Sequence, residues 1–334
     1  MKTIKKVSKV MRSLLLPVLF VCAFAGPLSA KGARGADNQE LTFYVIKGPT
    51  GVGMIRLFEE PPALPGFTLR LTALAQADQI AAQFISGEAK LGILPVNAAA
   101  KIASSGKRLQ AAAVIGSGML SLLSADSEVQ RLEDLRGKTV AAAGQGATPD
   151  YVLRKILLSK GLVPDEDVQL NYTLGYAEIA QSLIAGQISL ALLPEPFATM
   201  ARSGNPDLRP AGDIQAEWSA AAGLAGNYPM TLLVADADFA AAHPAVMRRF
   251  LDAAKASLEW ALANPAEAGT LVEKHELGLR APVVSAAIPR SNYVFIPAAE
   301  ARPSLEALYQ VFLDFSPASI GGKLPDADFY LSLP

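Results

Sequence analysis

Cysteine and histidine are almost missing from this sequence: Cys22 is the sole cysteine, and His243 and His275 are the only histidines in 334 residues. A disulfide framework is thereby excluded, and neither a metal cluster nor a histidine-based triad can be assembled. His243 precedes Pro244 at a helix start and reads as a cap, while His275 sits among Glu273, Lys274 and Glu276 on a charged helix. No catalytic residue, metal ligand or cofactor site is assigned. An excess of charge of either sign is lacking too, with 30 Lys and Arg against 31 Asp and Glu. Beyond the first thirty residues, no apolar run reaches the roughly 18 residues that a membrane-spanning helix needs.

What is present begins with a leader. Lys2, Lys5, Lys6, Lys9 and Arg12 precede an apolar run at 14–25, and Leu28-Ser29-Ala30 supplies small residues for cleavage. That pattern is a secretory signal peptide over residues 1–30. A lipid anchor at Cys22 is the alternative, and Leu19-Phe20-Val21 lacks the small residue expected before a modified cysteine. Cleavage after Ala30 removes five basic residues and no acidic ones, leaving 25 against 31. An acidic, cysteine-free chain suits a periplasmic or extracellular location and argues against a nucleic-acid partner. Residues 31–37, KGARGAD, read as a flexible leader. The roughly three hundred residues that remain suffice for a core without covalent staples.

The body of the chain contains one unit written twice. Residues 80–99 read IAAQFISGEAKLGILPVNAA and residues 179–198 read IAQSLIAGQISLALLPEPFA, with eight of twenty positions identical. Each copy runs helix, glycine turn (Gly87, Gly186), short apolar strand, proline (Pro95, Pro194) and second helix, the pattern of a parallel-sheet unit. Two copies predict two sheets. Open parallel sheets bind ligands at the carboxyl ends of their strands, so the segments after Leu94 and Leu193 are expected on opposite walls of one cleft.

Strand, loop and helix alternate from residue 41 onward. Strands are predicted at 41–47, 67–73, 91–94 and 109–115 in a first lobe, with helices at 52–60, 78–86 and 98–104. The second lobe has strands at 138–143, 168–174 and 189–193, and helices at 148–159, 177–184 and 196–202. Thr148 is read as the cap of its helix and Pro149 as the first helical residue. After a strand at 230–235 come helices at 244–263, 266–275 and 304–315. The expected fold class is α/β, two Rossmann-like lobes joined by a two-stranded hinge. Lobe 1 comprises residues 38–121 plus 232–334 and lobe 2 residues 122–231, with 119–125 and 230–235 carrying the chain across. A hinge of that kind lets the lobes close on a ligand by rigid rotation.

Candidate binding residues sit at the predicted cleft ends of the strands. The loop 48–51, with Thr50 and Gly51, and the loop 144–148, with Gly144, Gln145, Gly146 and Thr148, each place unpaired backbone N–H groups at a helix start, favouring an anionic or strongly polar group. Their glycines serve equally to make tight turns. Neither loop has a dinucleotide or P-loop spacing. Asn97 either orients a polar ligand or caps its helix. Glu195, between two prolines, either accepts from a ligand or offsets the helix dipole; as a ligand contact it disfavours a simple anion and favours an amine or heterocycle. Ser117, flanked by Gly116 and Gly118, reaches the cleft or marks a bulge. Among Tyr172, Tyr176, Trp218, Tyr228 and Tyr293, Tyr228 is the choice for stacking on a planar ligand, because it immediately precedes the returning hinge strand.

The run RLEDLRGKTVAAAGQGATPDYVLRKILLSKGL, followed by IAQSLIAGQISLALLPEPFA, resembles the solute-binding proteins of ABC importers, the group that includes sulfonate, nitrate and thiamine-pyrimidine binders. The resemblance spans nearly the whole exported chain and is most specific between residues 132 and 198. It implies the type II periplasmic binding fold, a monomer, a small-molecule ligand and an ABC permease partner. Sulfonate binders commonly carry hydroxyl residues after the glycine of the second-lobe loop, where this chain has Gln145, Gly146 and Ala147. A small-molecule lyase on the same fold and a ligand-sensing receptor module are the alternatives; export and the missing acid/base pair count against the lyase.

Overall fold

The computed structural model describes residues 38–333. The signal peptide, the Cys22 alternative and the leader at 31–37 lie outside the described residues. No described helix is long and apolar enough to cross a membrane.

Eleven strands are described: β1 (Gln39–Ile46), β2 (Phe67–Leu74), β3 (Leu91–Pro95), β4 (Leu109–Ser117), β5 (Leu120–Ser124), β6 (Thr139–Ala141), β7 (Gln169–Asn171), β8 (Leu190–Pro194), β9 (Arg209–Pro210), β10 (Pro229–Asp236) and β11 (Tyr293–Pro297). They form two sheets, ordered β11-β4-β10-β3-β1-β2 and β7-β6-β8-β5-β9. The internal repeat extends further than the twenty-residue match. Reading β2-β1-β3-β10-β4 beside β7-β6-β8-β5-β9, the first three strands are parallel and the next two pairings antiparallel in each sheet. Gly87 and Gly186 both take the left-handed conformation, φ 86° and 66°, that a side chain would strain.

Central strands covered on both faces read as continuous apolar runs, as LGILP and LALLP do. Around the larger sheet, Phe43 packs edge-on against Phe250 of the helix Pro244–Ala263 at 4.9 Å. The helix Ala298–Phe315 joins the lobes: its Phe312 meets Tyr151 edge-on at 5.0 Å, and Phe315 stacks on the same ring at 5.5 Å. Tyr151 belongs to the helix Thr148–Ser159 of the smaller-sheet lobe, so one aromatic cluster spans both halves.

The chain crosses between sheets over shorter pieces than the sequence predicts. The segments 119–125 and 230–235 lie inside the sheets as β5 and β10, and the crossings are residues 117–119 and 226–229. These are bonded to each other: Gly118 N donates to Tyr228 O at 3.0 Å and Ser117 Oγ to the same oxygen at 3.0 Å. Gly118 O in turn accepts from the side chains of Gln215 and Asn292.

Other departures from the expected elements have local causes. The helix expected at 52–60 is two short ones, Pro49–Val52 and Ile55–Glu59, because Gly53 follows the first. The last long helix begins at Ala298, not 304, and runs through Pro303, whose missing N–H lies near the helix start and removes a single intrahelical bond. Thr148 is the first helical residue and Ala147 the cap, so Pro149 stands second.

Candidate functional site

Strand register brings the two halves of the repeat face to face. Pro95 at the end of β3 pairs with Thr231 near the start of β10, and Pro194 at the end of β8 pairs with Leu120 at the start of β5. Both β5 and β10 start at the crossing. The carboxyl ends of β3 and β8 therefore meet at the crossing from opposite sheets, where a cleft between open sheets belongs. Glu195 N donates to Met119 O at 3.0 Å and ties the β8 end to it directly.

Two candidates act within the crossing. Ser117 is buried, its hydroxyl bonded to Tyr228 O. Tyr228 is fully buried, its hydroxyl accepting from Leu120 N at 3.2 Å and its ring edge-on to Trp218 at 5.6 Å. Burial holds that phenol far above its ordinary pKa. Tyr228 thus braces the crossing, and in this conformation it offers no face for stacking. Thr50 lies nearby: with Met119, Thr231 and Tyr293 it lines a cavity of about 10 Å³, room for roughly one water. Its hydroxyl donates to Ile46 O at 2.9 Å.

Some amides of the two glycine loops are engaged within the chain. Gly48 N donates to Leu277 O and Gly51 N to Gly48 O. Gly51 is glycine because a Cβ there would sit 3.0 Å from Leu277 Cδ1 and 3.2 Å from Ile46 O. In the second loop Ala147 N donates to Gly144 O, and Gly146 N donates to Asp150 Oδ2 at 2.8 Å. Gly144 (φ 76°) leaves room for the Tyr176 hydroxyl, 2.8 Å from where a Cβ would stand. Gln145 is exposed at the loop tip.

Asp150 is the residue that sequence reasoning missed here. Only 3% exposed, it also accepts from Arg154 Nε at 2.6 Å and from the Tyr172 hydroxyl at 2.5 Å, while Arg154 reaches Asp165 at 2.8 Å. The i, i+4 spacing of Asp150 and Arg154 was legible; Tyr172, on another element, was not. The negative charge that a helix start attracts is supplied by the chain itself.

Glu195 does the same at the next helix, Phe197–Gly204. Its Oε2 accepts from Thr199 N at 3.0 Å. At 2% exposure, burial raises its pKa above the ordinary 4.5, against a lowering by the Thr199 hydroxyl and amide and by the charges of Arg290 and Arg202. Its charge is also felt by Tyr293 of the other lobe, whose hydroxyl donates to Pro49 O at 2.6 Å. Glu195 is thus a carboxylate held between the lobes.

Two candidates keep polar atoms with nothing to bond. Asn97 Oδ1 and Thr148 Oγ1 are buried without a hydrogen-bond partner. Asn97 stands second in the helix Val96–Ser104, whose cap is Pro95, so it has no capping role. Buried polar groups are normally paired, and these two stand after β3 and β6, one on each lobe. An aromatic pair completes the second wall: Tyr176 stacks on Phe197 at 5.8 Å with planes 22° apart, its hydroxyl on Ala143 O and its pKa pushed up to about 12 by burial. Phe197, hidden in the PEPFA run, was not singled out from the sequence.

Residues 66–268 match the family model described as NMT1/THI5 like. Among solved structures, the fold matches an ABC transporter from Parabacteroides distasonis with TM-score 0.75 and 24% identity over 88% of this chain and 99% of that one. It also matches the periplasmic aliphatic sulphonate binding protein SsuA from Escherichia coli, with TM-score 0.70 and 18% identity over 89% and 92%. The periplasmic nitrate-binding protein NrtA from Synechocystis PCC 6803 follows at TM-score 0.59 and 12% identity over 85% and 84%. No curated sequence matches. The likeness establishes the two-lobed periplasmic binding fold.

Proposed function

We propose, for a chain that belongs to the NMT1/THI5-like family, the role of an extracytoplasmic receptor that captures a small solute between its lobes and delivers it, chemically unaltered, to an ABC permease. The neighbours named for sulphonate and nitrate binding support the role. They do not carry the choice of ligand.

The ligand class rests on one observation: a carboxylate of the chain stands at each helix start of the second-lobe wall, Asp150 accepting from Gly146 N and Glu195 from Thr199 N. A sulfonate or nitrate at those helix starts competes for donors with two carboxylates, of which Asp150 is paired with Arg154. The atoms at the cleft ends of the strands that want partners are the Asn97 carbonyl oxygen, an acceptor, and the Thr148 and Thr199 hydroxyls, which can accept or donate. With Glu195 as a further acceptor and the Tyr176–Phe197 stack as a flat apolar surface, the cleft suits a planar, neutral or cationic solute that presents N–H groups. An aminopyrimidine or similar amine-bearing heterocycle has that chemistry.

Contacts from both lobes exist together only in the closed form, so binding shifts the population toward it, and the permease reads that form. A thermal-shift panel separates the classes: aminopyrimidines and related heterocycles are expected to raise the melting temperature in a saturable way. A rise with alkanesulfonates or nitrate and none with the heterocycles would overturn the assignment.

A further inference from the structure

Three cavities among the described residues exceed the space beside Thr50. Those of about 350 and 290 Å³ open where β4 begins and share Arg108, which holds Asp238, while Lys323 holds Asp326. The other, about 320 Å³, lies on the seam between the lobes. Thr199, Arg202 and Ser203, on the helix Phe197–Gly204, line one side; Ala286 and Arg290, on the helix Ala281–Ala287 and the turn Ile288–Arg290, line the other.

The two arginines of the seam are unlike most in this chain. Arg56, Arg136, Arg154 and Arg302 each hold a carboxylate, whereas neither Arg202 nor Arg290 forms an ion pair among the described residues. Arg290 Nη1 donates to Ala286 O at 2.7 Å, which fixes its guanidinium at the cavity edge and leaves further N–H groups pointing elsewhere. Both act on Glu195, a single buried carboxylate whose ionised form burial disfavours. Two like charges, one from each lobe, thus line one polar space with one weak counter-charge behind it. Held together they repel, and the seam as it stands is electrostatically incomplete.

We infer that this seam, whose lining does not include Asn97, Thr148, Tyr176 or Phe197, is a binding site for a doubly charged oxyanion of the phosphate or sulfate class, shared between Arg202 of one lobe and Arg290 of the other. Planar guanidiniums present paired donors that match tetrahedral oxyanions, and the Ser203 hydroxyl adds another. Because each lobe contributes one arginine, the anion holds both only when the lobes are together. It therefore favours the closed form and, by linkage, tightens solute binding in the cleft. The inference is independent of which solute the cleft takes.

The test uses protein purified after expression of the full chain, with inorganic phosphate titrated at constant ionic strength against chloride. Calorimetry is expected to show one saturable site and the melting temperature to rise with phosphate. R202Q and R290Q should each weaken phosphate binding by at least about tenfold, while each variant still unfolds in one cooperative transition without phosphate. Small-angle scattering should show a smaller radius of gyration with phosphate in the wild type and no change in either variant. No saturable response to phosphate or sulfate, or the same response in both variants, overturns the site. Phosphate binding that depends on only one arginine and leaves the radius unchanged overturns the bridging role.

Discussion

Replacing Asp150 with alanine strands three donors at once. Gly146 N loses a 2.8 Å bond, Arg154 Nε a 2.6 Å bond and the Tyr172 hydroxyl a 2.5 Å bond. Removing one member of a buried ion pair costs about 3–5 kcal/mol. Arg154 keeps Asp165 at 2.8 Å and its side chain is 17% exposed, which places this case at the lower end, about 3 kcal/mol. Tyr172 is half-buried and can turn toward water, adding about 1 kcal/mol at most. A total near 3–4 kcal/mol is a large fraction of the stability of about 5–15 kcal/mol typical of a folded domain. Urea unfolding followed by circular dichroism reads it as a lower midpoint at unchanged slope. D150N keeps the shape but turns an amide toward Arg154, and should lose less. Arg154→Met added to D150A removes the stranded cation and should recover part of the loss. A D150A protein within about 1 kcal/mol of wild type, or a D150A/R154M double variant less stable than D150A, would refute the assignment of Asp150 as the anchor of the second-lobe loop.

Glu195 gives a pH signature. Burial raises its folded pKa above 4.5, so the native state takes up the proton more readily than the unfolded chain, and the ionised carboxylate lowers stability. That deficit appears as pH rises through the folded pKa and vanishes below 4.5. Glu195→Gln should therefore melt higher than wild type near neutrality and converge with it in acid; a melting difference that is flat with pH would count against the buried carboxylate. At the crossing, Gly118 has φ 57° and a Cβ there would stand 2.5 Å from Asn227 Cγ. Gly118→Ala combines about 1–2 kcal/mol of backbone strain with about 1–3 kcal/mol of overpacking, and urea unfolding should show a loss of at least about 2 kcal/mol; no loss would mean that the crossing is loosely built. Asn97→Ala removes an oxygen that bonds nothing, so stability should change by less than about 1 kcal/mol while solute affinity falls at least about tenfold. A variant that binds normally would take Asn97 out of the site.

The sequence makes the repeated units legible because a parallel-sheet unit must repeat its apolar run, glycine turn and proline at fixed spacing. Gly87, Gly186, Pro95 and Pro194 accordingly stand where the pattern puts them. The sequence also locates the loops that follow β1 and β6. It does not reveal how the backbone donors of those loops are used, because that depends on side chains whose partners are set by packing. Asp150 reads as a helix-start residue until Tyr172, 22 positions on, is seen to meet it. Tyr228 is singled out for its nearness to the returning strand, and its chemistry is decided by a bond to Leu120 N that only the fold creates. Pro303 hides the first turn of its helix for the opposite reason: a local signal that usually opens a helix is tolerated inside one. β9, two residues long, carries no periodicity at all.

The central claim is that this protein holds a donor-bearing, non-anionic solute without altering it. Native purification of the expressed chain, followed by denaturation and mass spectrometry of whatever is released, tests that most directly. A stoichiometric amine-bearing or heterocyclic molecule, recovered unchanged and raising the melting temperature when added back, is the predicted result. Release of a sulfonate or nitrate would contradict the reading of Asp150 and Glu195, and recovery of a chemically converted product would contradict the receptor role.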